Sequence, residues 1–248
     1  HIFKKIRHSL ESVPNELQLH YLNKKEQLAY WLNSYNNGLL KEIVAIYPKK
    51  ILKRSLLGDD KILSKKKFTV AGIKLSLNDI QYKIVYGKFK HMPKVMYGFY
   101  QGNIGSPNLR DEAYKGSKVY HQLVENGEEF VNSNRGMQIK RKNRLYVSKY
   151  YEQAESLFSD FENDLREHLE DYAEGQMKSD VKYAKRFKID IEDWSITDLY
   201  GTDRDYGGSA STNPAAMLNA VVSNSAVPIG PEGSGAGIGA VNVSHITD

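Results

Sequence analysis

YQGNIGSPNLRDEAY, residues 100–114, is the stretch whose reading decides the fold. The apolar and aromatic run VMYGFYQ (95–101) leads into it and reads as a buried strand. Gly102 and Gly105 bracket a turn, where glycine supplies a positive φ or lets two backbones approach closely. Pro107 suits the first position of a helix, since its missing N–H is not needed there and its φ is preset. Ser106 would then be the N-cap, its oxygen accepting from a free backbone N–H. The stretch predicts strand, tight turn and helix, with helical pattern over 109–132 and a break near Gly127.

Upstream, residues 15–47 read as helix, because Leu28, Leu32, Tyr35 and Leu39 recur at spacings of three and four, and Pro48 stops the pattern. KFTVAGIKLS (67–76) is β-like, with Ala71-Gly72 as a hairpin turn. Ser76 followed three residues later by Asp79 has the form of a helix cap. Downstream, GMQIKRKNRLYVS (136–148) reads as a hairpin turning at Lys142-Asn143. A long amphipathic helix is expected over 149–173, a short one near 178–186, and an extended piece from Phe187 to Trp194. The pattern predicts an α+β protein, helix-rich, with a small β-sheet and β-hairpins.

Composition changes near Gly201. The last 48 residues hold eight of the 19 glycines and no lysine. Residues 1–200 therefore read as one globular domain and 201–248 as a Gly/Ala/Ser-rich tail, partly packed or flexible. The net charge is +5, with 34 Lys+Arg against 26 Asp+Glu before residue 201 and one against four after it. Lys49, Lys50, Lys53, Lys65, Lys66 and Lys67 form the densest basic segment, a surface able to attract anionic polymers. No specific nucleic-acid motif accompanies it. No apolar run approaches the roughly 18 residues of a membrane span, so no transmembrane segment is expected. The absence of cysteine excludes disulfides, thiolate metal sites and a cysteine nucleophile. No metal-ligand cluster and no phosphate-binding glycine loop is visible, so no cofactor is expected.

Ser106 carries three readings: a helix cap, part of a binding pocket, or a nucleophile served by backbone donors at the helix start. A hydroxyl nucleophile needs a positioned base, and His91, on the loop before the expected strand, is the nearest histidine upstream. Gln101, Gly102, Asn103 and Gly105 would line a backbone-rich pocket. Asn33, Asn36 and Asn37 lie off the leucine face of their helix. Asparagine is a poor helix former, so they either hold neighbouring loops or contact a ligand, Asn33 and Asn36 foremost. Arg110 either pairs with Asp79 or Asp111 or holds an anionic group.

EQLAYWLNSYNNGLL (26–40), KLSLNDIQYKIV (74–85) and NIGSPNLRDEAY (103–114), in that order, resemble the signatures of the bacterial and plant "domain of unknown function 547" family. RLYVSKYYEQAESLFSDF (144–161) and IEDWSITDL (191–199) agree, and the resemblance extends over roughly residues 10–200. The family has no settled activity. Its bacterial members often carry export signals, which implies a periplasmic or extracellular location. Many members have a cysteine before the proline of the third motif, a histidine closing the second, and another histidine in the intervening strand. That set is similar to papain-like and transglutaminase-like sites and implies a distantly papain-like arrangement. Here those positions are Ser106, Tyr82 and Met96.

The combined expectation is an envelope-associated or secreted, non-catalytic binding module with a degenerate cysteine-peptidase-like site. Its partners would be a peptide, a glycan or another envelope polymer. A serine-dependent acyl-transfer enzyme or hydrolase using Ser106 is the first alternative. An assembly or adhesion module acting through 201–248 is the second. The sequence leaves the oligomeric state open.

Overall fold

The computed structural model describes residue 5 and residues 8–12, 19–46, 62–140 and 143–193. Lys49, Lys50, Lys53 and the expected tail 201–248 lie outside the described residues.

Helix α1 (Lys24–Ile46) opens with a capping box. Asn23 Oδ1 accepts from the N–H groups of Lys25 and Glu26 at 2.9 and 3.1 Å, and Glu26 Oε2 accepts from the N–H of Asn23 at 2.8 Å. Leu28, Leu32, Tyr35, Leu39 and Ile43 are fully buried, so the apolar stripe read from the sequence is the face around which the core is built.

β1 (Phe68–Val70) and β2 (Ile73–Leu75) form the expected antiparallel hairpin. Ala71 and Gly72 have φ 50° and 82°, the pair of positive values that a two-residue hairpin turn requires. Ser76 and Asp79 close a reciprocal cap: Asp79 N–H donates to Ser76 Oγ at 3.0 Å, and Ser76 N–H and hydroxyl donate to Asp79 Oδ2 at 2.9 and 2.7 Å. The helix they start widens to π geometry over Asp79–Tyr86. That widening aligns residues five apart, and Gln81 Nε2 donates to Tyr86 Oη at 3.1 Å.

The structure corrects three sequence expectations. The run 95–101 is no strand: Pro93–Gly98 is a 3₁₀-helix with proline at its start. Residues 107–118 form no helix, and α2 begins only at Val119 and runs to Val131. α2 also has no break at Gly127. A Cβ there would lie 2.5 Å from Tyr172 Cε1 and 2.8 Å from Tyr97 Cδ2, so the glycine serves close packing. Thirdly, the long helix expected over 149–173 is two. A 3₁₀-helix (Lys149–Leu157) ends at the extended Phe158, and α3 (Phe161–Tyr172) restarts with Asp160 as its cap.

β3 (Met137–Lys140) and β4 (Arg144–Ser148) form the expected hairpin. After α3 and α4 (Gly175–Tyr183), β5 (Arg186–Ile191) returns to pair parallel with β4, giving the order β3-β4-β5. The whole is α+β and helix-rich with two small sheets, as the sequence predicts. Among the described residues no helix is long and apolar enough to cross a membrane.

Candidate binding cleft

β4 and β5 run in the same direction, so both carboxyl ends fall on one side of the sheet. There the strands part. The register shifts between Val147 and Ser148, and Ser148 Oγ accepts from the N–H of Tyr150 at 3.1 Å, turning the chain into the 3₁₀-helix. Past Ile191 the chain continues without regular structure to Asp193. Crevices at the carboxyl ends of parallel strands are the usual ligand positions of open sheets, and the same divergence makes one here. The cleft is about 230 Å³. Ser148, Lys149, Tyr150, Glu152 and Gln153 form one wall, Ile191 to Asp193 the other, and Gln101, Asn103 and Gly105 the floor.

Gly105 joins the two walls. Its N–H donates to the Asp193 carbonyl at 2.9 Å, and its own carbonyl accepts from Ser148 Oγ at 3.3 Å. A Cβ there would sit 2.8 Å from Asp193 O and 2.9 Å from Asp193 N, a clash with backbone. Gly102 has φ 76°, the positive value its turn needs.

Ser106 is 1% exposed and caps a turn, with no helix following it. Its hydroxyl donates to the Asn103 carbonyl at 2.9 Å and accepts from the N–H of Gln101 at 3.1 Å. Arg135, absent from the sequence reading, clamps the same turn: Nη1 donates to the Ser106 carbonyl at 2.7 Å and to Asn108 Oδ1 at 3.0 Å, while Nη2 pairs with Glu129. His91 is exposed, with φ 65°, and no hydrogen bond joins it to Ser106.

The other two family positions lie around the same floor. The Tyr82 hydroxyl donates to Gln153 Oε1 at 3.3 Å. Gln153 and Gln101 form a reciprocal amide pair, Gln153 Nε2 donating to Gln101 Oε1 at 2.9 Å and Gln101 Nε2 donating back. Met96 is fully buried, and its carbonyl receives the hydroxyl of cleft residue Tyr150 at 2.5 Å. Burial pushes the Tyr150 phenol well above its ordinary value, so it stays a neutral donor.

Asn33, Asn36 and Arg110 sit away from this cleft. Asn33 brackets Tyr114 by exchanging amide bonds of 2.9 Å with its carbonyl and N–H. Asn36 does the same between Gly98 O and Tyr100 N, at 2.8 and 3.2 Å. Asn37 is buried, its amide without a partner among the described residues. Arg110 pairs with Glu125 at 2.9 Å and Glu112 at 3.4 Å, in place of the expected Asp79 or Asp111, and donates to Gln122 O and Asn126 Oδ1. Lys67 pairs with Glu42, while Lys65 and Lys66 are exposed.

Asn103 lies in the cleft. It is 5% exposed and lines the cleft floor, and its side-chain amide has no hydrogen-bond partner among the described residues. Unlike the fully buried amide atoms of Asn37, its side-chain atoms reach the solvent of the cleft. Of the charged groups lining the cleft, Lys149 Nζ lies 3.0 Å from Glu192 Oε2 and Glu152 is exposed. Among the described residues no group of three or more acidic or histidine side chains is placed to hold a metal ion. Sequence reasoning found the floor but missed both walls, which come together through strand pairing between distant segments.

Residues 19–131 match the family model described as "Protein of unknown function, DUF547", so that stretch is a domain of this family. The match takes in all three signature motifs; the later segments that build the cleft walls lie beyond it. No curated protein and no solved structure gives a significant match.

Proposed function

We propose that this chain is a non-catalytic binding module that takes a polar segment of a peptide or glycan in the cleft between the β4 and β5 ends. The observation that carries this is Asn103, which lines the floor of the cleft and whose side-chain amide makes no hydrogen bond to another described residue. The non-catalytic half rests on Ser106, whose hydroxyl is held by two backbone groups of its own turn, with no histidine or acid hydrogen-bonded to it. An envelope or extracellular setting belongs to the same proposal and rests on the family resemblance.

The test is nuclear magnetic resonance of the ¹⁵N-labelled full chain, following side-chain amides during titration with acetylated tripeptides, maltotriose and chitotriose. The Asn103 Nδ2 resonances are expected to move with at least one probe, and Asn103→Ala to abolish the response elsewhere in the cleft. If no probe moves Asn103 while the chain is folded, the binding reading fails.

A further inference from the structure

The first turn of α1 carries Lys24 and Lys25, where the helix dipole disfavours cations. Both are exposed. Lys25 Nζ lies 5.1 Å from the centroid of the Tyr120 ring, in the first turn of α2. Lys94 Nζ, from the start of the 3₁₀-helix Pro93–Gly98, lies 4.8 Å from the same centroid. A phenol ring attracts an ammonium by cation–π contact, and this one gathers two of like charge. Lys88 Nζ donates to Gln27 Oε1, one turn along α1. Desolvation and the nearby Lys24 ammonium push the Lys88 amine below its ordinary value. Among the described residues none of these four lysines has an ion pair, and the Tyr120 hydroxyl has no hydrogen bond. Glu26, the acid of that turn, engages the Asn23 N–H through Oε2.

Three elements thus bring like charges to one face, against the local preferences of a helix start and of ion pairing. Such local conflicts are expected at functional surfaces, and a bound polyanion would relieve the repulsion. None of these residues lines the cleft, and none belongs to the basic segment 49–67. The cations are all lysines, point charges on flexible stems that suit spaced anionic groups rather than planar bidentate recognition. Of the exposed large apolar side chains described, only Tyr21 lies within three residues of a cluster lysine. One ring is short of the successive stacking platforms of single-strand nucleic-acid binders and of the apolar face that seats a helix in a lipid interface. We infer that this face, separate from the cleft, docks an acidic polysaccharide whose anionic groups lie over Lys24, Lys25, Lys88 and Lys94.

The experiment is calorimetric titration of the full chain with a heparin-derived hexasaccharide, a short oligothymidylate, and equimolar phosphatidylglycerol–phosphatidylcholine vesicles. The hexasaccharide is expected to bind tightest, and more weakly as salt is added. Lys25→Gln with Lys94→Gln should weaken it by about twofold to fivefold per lysine, the scale of exposed ion pairs. Lys178→Gln with Lys185→Gln, exposed lysines on α4 and just after it, should leave it nearly unchanged. Lys24→Gln should weaken the complex yet raise the urea midpoint of the free chain, since the helix start and Lys88 both repel that charge. Equal losses in the two double variants would reduce the effect to net charge and overturn the site. Tighter binding of the oligothymidylate or the vesicles would overturn the partner class. A lowered midpoint in Lys24→Gln would overturn the argument from repulsion, and no binding of the hexasaccharide would overturn the inference as a whole.

Discussion

Gly105 donates its N–H to the carbonyl of Asp193 at 2.9 Å, so the turn read first in the sequence is fastened to the chain leaving β5. Gly105→Ala must push a Cβ against that backbone. The expected cost is about 1–3 kcal/mol, the range for overpacking, measured by urea unfolding. The loss of cleft binding should exceed the loss of stability in its effect. An alanine variant with unchanged stability and unchanged side-chain amide spectra would show that the close approach is dispensable.

The Gln101–Gln153 pair joins the floor to the 3₁₀-helix. Gln153→Ala and Gln101→Ala should each destabilise by about 1 kcal/mol, the usual net worth of side-chain hydrogen bonds. Because each single change leaves the other amide unpaired and the double change removes both, the double variant should lose less than the two single losses added together. Additive losses in a double-mutant cycle would mean that the two amides do not act on each other.

Ser106→Ala leaves the buried N–H of Gln101 without its acceptor. The expected loss is about 1–3 kcal/mol in urea unfolding. Ser106→Thr should not restore it, because the turn has no free space at a residue 1% exposed. A neutral Ser106→Ala variant would remove the structural role assigned to this hydroxyl.

The stability of the fold should fall as pH drops from about 6.5 to 4. His168 lies with Nε2 2.9 Å from the Tyr97 hydroxyl and its ring against Tyr97 and Tyr172, and burial pushes its imidazole down to about 4. In this window the unfolded chain, with a histidine near its ordinary value of about 6.5, binds the proton that the folded chain refuses. The contribution is therefore full above that value, declines as pH falls, and amounts to about 3 kcal/mol at most. Asp79 acts lower still. Burial alone would raise its carboxyl, but Ser76 and Lys83 hold it below the ordinary value, so its share is lost only as the carboxylate titrates. Urea midpoints between pH 4 and 7.5 check this, and His168→Gln should flatten the upper part of the curve.

Local signals carried much of the architecture. Ala71-Gly72 specified its hairpin and Ser76–Asp79 its cap, because both depend on neighbours within four residues. The leucine stripe of α1 was legible because its burial repeats at the helical period. The run 95–101 misled because a short apolar stretch has no period that tells a strand from a buried 3₁₀-helix, and Pro93 was the overlooked signal. Asp160, whose Oδ1 accepts from Asn163 N–H at 3.5 Å, marked the break in the long helix. The cleft floor was visible as a glycine-bracketed turn. Its walls were not, because the parallel pairing of β4 with β5 joins segments separated by two helices.

The central claim is that Ser106 is a turn residue beside a binding cleft and does no covalent chemistry. Its most direct measurement is labelling of the full chain with a fluorophosphonate probe, read by intact mass and peptide mapping, with Ser106→Ala as control. The account predicts no adduct on Ser106. A stoichiometric adduct there, abolished in Ser106→Ala, would contradict it and make the hydroxyl an activated nucleophile.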